Sequence, residues 1–138
     1  MNDDTLPPSP ARSALMARIR GKNTNPELLV RRLIHALGYG YRIHRADLPG
    51  TPDIAFIGRR KAIFVHGCFW HRHEGCSKAS MPKTREAYWS KKFSTNLERD
   101  SRKLKELARM GWKVLVVWEC ETKNKELLVD TLKEFLKR

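Results

Sequence analysis

The sequence predicts an α/β domain, an α+β arrangement in which helices flank a mixed sheet. Three observations carry this expectation. Two segments of helical period open the chain, three β-rich segments follow one another between residues 41 and 67, and a long charged helical stretch separates them from one more apolar strand. The expected order is α-α-β-β-β-α-β-α.

Residues 12–20 (RSALMARIR) form the first predicted helix, with Leu15, Met16 and Ile19 on one side and Gly21 as its stop. The second, TNPELLVRRLIHALG, starts at Thr24, with Glu27 placed as in a capping box and Pro26 in the first turn. Leu28, Leu29, Leu33, Ile34 and Leu37 recur at helical spacing, and Gly38 ends the run. YRIHRAD, PDIAFI and KAIFVHG are rich in β-branched and aromatic residues and read as strands, the last two joined by a GRR hairpin turn. A helix from Thr84 to about Met110 stops at Gly111. KVLVVWEC is apolar almost throughout, the pattern of a strand buried on both faces, and its helical crossover predicts parallel pairing with an earlier strand. KNKELLVDTLKEFLKR is an amphipathic helix. Residues 1–11 read as a disordered lead-in and 12–138 as a single domain, since no repeat or second composition intervenes.

Charge points to the partner. Twenty-eight Lys and Arg against fifteen Asp and Glu give +13, a field that attracts polyanions and favours nucleic acid. No apolar run reaches the length of about 18 residues that spans a membrane, and MNDDTLPPSPARS lacks the apolar centre of a secretory signal. Three cysteines make an odd count, which fits free or metal-bound thiols in a reducing cytoplasm better than a disulfide framework.

The densest chemistry lies in VHGCFWHRHEGC, residues 65–76. Cys68, His73 and Cys76 follow C-x4-H-x2-C, and Cys120 lies at the end of the fourth strand. Together they would give the four thiolate and imidazole ligands of a structural Zn2+ site and use every cysteine in the chain, with His71 and Glu74 as neighbouring substitutes. Asp53 opens a strand whose neighbour ends near His66, an arrangement that can hold Mg2+ beside a phosphate. His66 and His71 are both candidates for a general base. The basic residues of the long helix, among them Lys91, Lys92, Arg99, Arg102, Lys103 and Lys105, single out no individual contact.

GTPDIAF, AIFVHGCFWH, TREAYWSKKFSTNLERD and GWKVLVVWEC together resemble the very short patch repair (Vsr) DNA mismatch endonucleases, over nearly the whole chain from Arg12. The resemblance implies a restriction-endonuclease-like fold with a structural zinc site. It implies Mg2+-dependent nicking of one strand, 5′ to the thymine of a T:G mismatch left by deamination of 5-methylcytosine. In that likeness Asp53 and the backbone carbonyl of Val65 hold Mg2+. His71 is the base, Asp100 orients it, His66 stabilises the phosphate and Glu27 supports the site. Cys68, His73, Cys76 and Cys120 fall on the zinc ligands, with Gly75 as an apparent insertion. Met16 from one groove, and Phe69 and Trp70 from the other, would wedge into the mismatched step, assisted by Trp89. The carboxylate-x-lysine usual in this nuclease fold is absent from AIFVHG, which leaves the basic role to histidine. Implied partners are T:G duplex DNA, MutL, a repair polymerase and a cytosine-5 methyltransferase, with a monomeric protein acting at the bacterial nucleoid. Two other readings use the same features: a zinc-stabilised DNA-binding module without catalysis, and a restriction-type nuclease of other specificity.

Overall fold

A computed structural model describes residues 24–137; the predicted helix at 12–20, its Met16 and the lead-in lie outside them. Helix α1 spans Asn25–Ala36. The Thr24 hydroxyl accepts the Glu27 N–H at 3.4 Å, and Gly38, at φ +90, ends the helix while Tyr39 N–H donates back to the Ile34 carbonyl. The Glu27 carboxylate, expected in a capping box, instead takes up Arg31 and His44.

Four strands form one sheet in the order β1-β2-β3-β4. They are β1 Arg42–Ile43, β2 Ile54–Phe56, β3 Lys61–His66 and β4 Lys113–Trp118. The first three pair antiparallel, and β4 runs parallel to β3 after helix α2, Glu86–Arg109. The β2–β3 turn closes with Arg60 in the left-handed region. Helix α3, Lys125–Leu136, completes the fold, its first turn capped by the Asn124 side chain accepting from Leu127 N–H.

Two expectations are corrected. The segment YRIHRAD contributes only two paired residues, because His44 turns left-handed (φ 48) and leaves the strand. KVLVVWEC is not buried on both faces: β4 is a sheet edge bonded to β3 alone, and of its residues only Val117 is buried. Its apolar run serves a half-covered edge rather than a central position.

Alternation along β3 splits the core. Ile63 packs with Val30 and Ile34 of α1 and with Leu128, Leu132 and Leu136 of α3. Phe64 packs with Leu48 and with Leu107 of α2 on the other side. The sheet therefore lies between α1 and α3 on one face and α2 on the other. At the lower end of β3 the buried Lys61 donates its ammonium to the carbonyls of Phe135 (2.6 Å) and Lys137 (3.0 Å), capping the C-terminus of α3 with a cation. Lys61→Met is expected to lower the unfolding free energy by about 1–3 kcal/mol, since two carbonyls lose a charged donor. Denaturant melts read this, and an unchanged midpoint would show that water replaces the lysine without loss.

Candidate active site

Strand pairing creates the first half of the site. Asp53 immediately precedes β2, and its carboxylate oxygen accepts the Val65 N–H of β3 at 2.7 Å. Across the β1–β2 pair, His44 N–H donates to the Asp53 carbonyl at 3.2 Å, which sets the two side chains next to each other. His44 in turn donates its Nε2–H to Glu27 at 2.8 Å, and Arg31 reaches the same carboxylate oxygen at 3.2 Å. Glu27, His44 and Asp53 thus hold their ligand atoms within 4.8 Å of one another. Burial, opposed by the Val65 N–H and reinforced by Glu27, pushes the Asp53 carboxyl up to about 6.

The end of β3 and helix α2 supply the second half. His66 and His71 stack with ring centroids 3.8 Å apart and planes 6° apart. His71 donates Nδ1–H to Asp100 of α2 at 2.5 Å. Burial would raise the Asp100 carboxyl, but the hydrogen bond and charge of His71 outweigh it and hold the group low. Burial, and then the nearby His71, push His66 down to about 3, so this imidazole is neutral at physiological pH. The two halves face one cavity of about 220 Å³, which Glu27, Asp53, Val65, His66, His71 and Asp100 all line. Every residue expected to carry the chemistry is therefore brought together. His44, which the β-like segment YRIHRAD did not mark, joins them through Glu27; its only signal was a histidine facing Asp53 in the pairing register.

Beyond β3 the chain folds back on itself. Cys68 and Cys120 place their sulfurs 3.6 and 3.4 Å from His73 Nδ1, and with Cys76 the four ligand atoms lie within 4.8 Å of each other. A tetrahedral Zn2+ with thiolate and imidazole ligands requires S···N separations of roughly 3.6 Å, so the donor set and its spacing fit zinc. Burial pushes the Cys68 thiol up to about 12, and a cation is what would keep sulfurs so placed deprotonated. Gly75 adopts φ +75 in the turn closed by Cys76 N–H donating to the His73 carbonyl.

The aromatics form a cluster of their own. Trp70 and Trp89 are 4% and 2% exposed and pack with Phe93, while the half-buried Phe69 meets all three edge-on. Arg72 lies 4.0 Å over the Phe93 ring and donates to the carbonyls of Phe69, Ala79 and Ser80. Phe69 and Trp70 also line the cavity, so the rings expected to meet DNA border the carboxylates and histidines. Met16 lies outside the described residues.

Comparison with known proteins fits this geometry. Residues 4–78 match the family model of the DNA mismatch endonuclease Vsr. This chain belongs to the Vsr family. A type II nicking enzyme of Xanthomonas oryzae is 51% identical over 96% of each chain. A type II nicking enzyme of Neisseria meningitidis is 40% identical over 91% of this chain and 89% of its own. The DNA mismatch endonuclease Vsr of Escherichia coli is 40% identical over 86% of this chain and 76% of its own. The likeness to these Vsr-family relatives extends well past residue 78, so it takes in helix α2 and β4 as well.

The raised Asp53 carboxyl makes a pH-dependent prediction. Its folded pKa lies above the ordinary carboxylate value, so the protonated form is the stable one inside the protein. That stability is present below about pH 4 and lost as pH rises towards 6; above this, a buried charge remains as a burden. At about 1.4 kcal/mol per unit the burden is roughly 2–3 kcal/mol. Without added Mg2+, Asp53→Asn should therefore stabilise the protein at pH 8 by up to that amount and leave it unchanged at pH 4. A loss of stability at pH 8 would show that the buried charge carries no such burden.

Proposed function

We propose that this protein is a Mg2+-dependent endonuclease that nicks one DNA strand 5′ to the thymine of a T:G mismatch. The observation that carries the reading is the one cavity in which the neighbouring carboxylates of Glu27 and Asp53 face a histidine anchored by Asp100. Family membership supports a mismatch endonuclease, and the sheet sandwiched between helices supports a restriction-endonuclease-like fold for one domain over residues 12–138.

Asp53 and the Val65 carbonyl would hold Mg2+, and the half-buried Asp53 carboxylate beside the buried Glu27 makes a suitable oxygen donor set for a hard cation. When bound there, Mg2+ would supply positive charge to the phosphoryl oxygens of the scissile group. The remaining steps fall to side chains of the protein. Asp100 fixes the tautomer of His71, so that Nε2 takes the proton from the attacking water. Neutral His66, stacked on His71, can donate a hydrogen bond to a phosphate oxygen without a second positive charge disfavouring proton uptake by its neighbour. Glu27, held by His44 and Arg31, supports the Asp53 side of the cavity. Cys68, His73, Cys76 and Cys120 would bind a structural Zn2+.

Recognition on this reading belongs to the loop aromatics. Phe69 is the ring with an open edge, while Trp70 must leave its packing with Trp89 and Phe93 to reach a base step. Such a rearrangement is favoured only where the DNA is already weakly paired, which is the property of a T:G wobble. Met16 would enter from the other groove. The family likeness extends the reading to a cytoplasmic monomer working with MutL, a repair polymerase and the cytosine-5 methyltransferase whose product deaminates.

Nicking of a panel of duplexes with T:G in varied contexts, in Mg2+ and in EDTA, tests the proposal. One-strand cleavage at T:G alone, abolished by EDTA and by Asp53→Ala with binding kept within about tenfold, is the expected outcome. Cleavage of perfectly paired duplex would instead indicate a restriction-type enzyme, and binding without any cleavage a zinc-stabilised DNA-binding module.

A further inference from the structure

The cavity is lined by four carboxylates, those of Glu27, Asp53, Asp100 and Glu119, yet its proposed substrate is a polyanion. Among the described residues one lysine or arginine lines it: Lys103 of α2. Lys103 stands one turn after Asp100, half-buried, with no carboxylate within 4.0 Å of its ammonium and no hydrogen bond to another described residue. Its charge acts at a distance on Asp100 and His66 without a direct ion pair to either.

The stem of this lysine is seated. Gly50, in the turn before β2, adopts φ +80, and a Cβ there would come within 2.9 Å of Lys103 Cδ, 3.0 Å of Lys103 Cβ and 3.1 Å of the Phe64 ring. The absence of a side chain at residue 50 lets the methylene chain of Lys103 lie across the turn, against Phe64 at the floor of the cavity. Lys91, Lys105, Arg99 and Arg102 of the same helix are exposed, as a solvated basic face would be. Packing of the stem also removes much of the rotamer freedom that a surface lysine would lose on meeting its partner.

We propose that Lys103 contacts a phosphate of the duplex bound at this cavity and supplies its fixed positive charge. This rests on the nuclease reading of the same cavity. Its role is attraction alone, so it complements the proton transfer of His71 without competing with it. The helix thereby provides from outside the sheet a cation that the strand segment AIFVHG lacks.

The test compares zinc-replete wild-type protein with Lys103→Met, Lys103→Arg and Lys133→Met, the last an exposed lysine on α3. Fluorescence anisotropy of T:G and matched duplexes in Ca2+ across several salt concentrations gives affinity and salt slope. Lys103→Met should lose roughly tenfold in affinity for both duplexes near 0.1 M salt, the scale of one charged contact. It should flatten the slope by about one phosphate, near 0.9. Lys103→Arg should retain the slope, and Lys133→Met should match wild type. Single-turnover nicking in Mg2+ should fall for Lys103→Met by at least a further factor of about ten. A Lys103→Met slope equal to that of wild type, or a Lys133→Met loss of the same size, would overturn the proposal. Wild-type protein that binds but cuts no duplex would sink the nuclease reading, and the slope would still decide the phosphate contact.

Discussion

The parallel pairing of β3 with β4 is the constraint on which the site depends. Its register runs from Lys61 opposite Lys113 to His66 opposite Trp118, so the two strands finish level with each other. Cys68 and Cys120 each lie two residues beyond those ends, which is why residues remote in sequence converge on His73. The loop after β3 is then fastened at three points: by this sulfur–imidazole cluster, by the packing of Trp70 on Trp89 and Phe93, and by His71 bonded to Asp100. His73 stacks on Trp118 at 4.2 Å, tying the first fastening to the end of β4 itself. Such a loop has little core of its own, and a metal tie would supply order that apolar burial cannot.

The same geometry explains a charge arrangement that works against stability. Glu27 is 2% exposed and Asp53 carries a carboxyl that burial pushes up to about 6. Two carboxylates so close, with the neutral imidazole of His66 nearby, would be replaced by apolar residues if packing alone mattered. On the proposed reading a bound cation would offset their charge. The histidine stack belongs to the same geometry: with the rings 3.8 Å apart, burial and then His71 keep the buried His66 neutral. Strain follows the function too, since the left-handed His44 leaves β1 at the point where its ring must reach Glu27.

Much of this was legible in the sequence. Helical period, Thr24 and Gly38 marked α1, and the β-rich segments and charged crossover marked a mixed sheet. The spacing of Cys68, His73 and Cys76, with a lone Cys120 after an apolar strand, suggested the four-residue cluster that forms. What was not legible depends on register and on packing between distant elements. YRIHRAD has the composition of a strand, but His44 is drawn out of it by Glu27 on another element. KVLVVWEC is apolar enough for a central strand, and only the sheet order makes it an edge. Lys103 is one of many basic residues along α2, and nothing local tells that Gly50 seats its stem at the cavity. In Trp70 the sequence signals a ring in a histidine-rich loop, whereas the fold stores that ring against two aromatics of α2.

On the proposed reading, a metal held between the ends of β3 and β4 fixes the loop that carries His71, Phe69 and Trp70. X-ray absorption at the zinc edge, on protein purified without chelators, tests it most directly. The expected result is one zinc per chain with three sulfurs at about 2.3 Å and one nitrogen at about 2.0–2.1 Å. Protein that folds with no zinc, or with zinc surrounded by oxygen and nitrogen alone, would contradict the account.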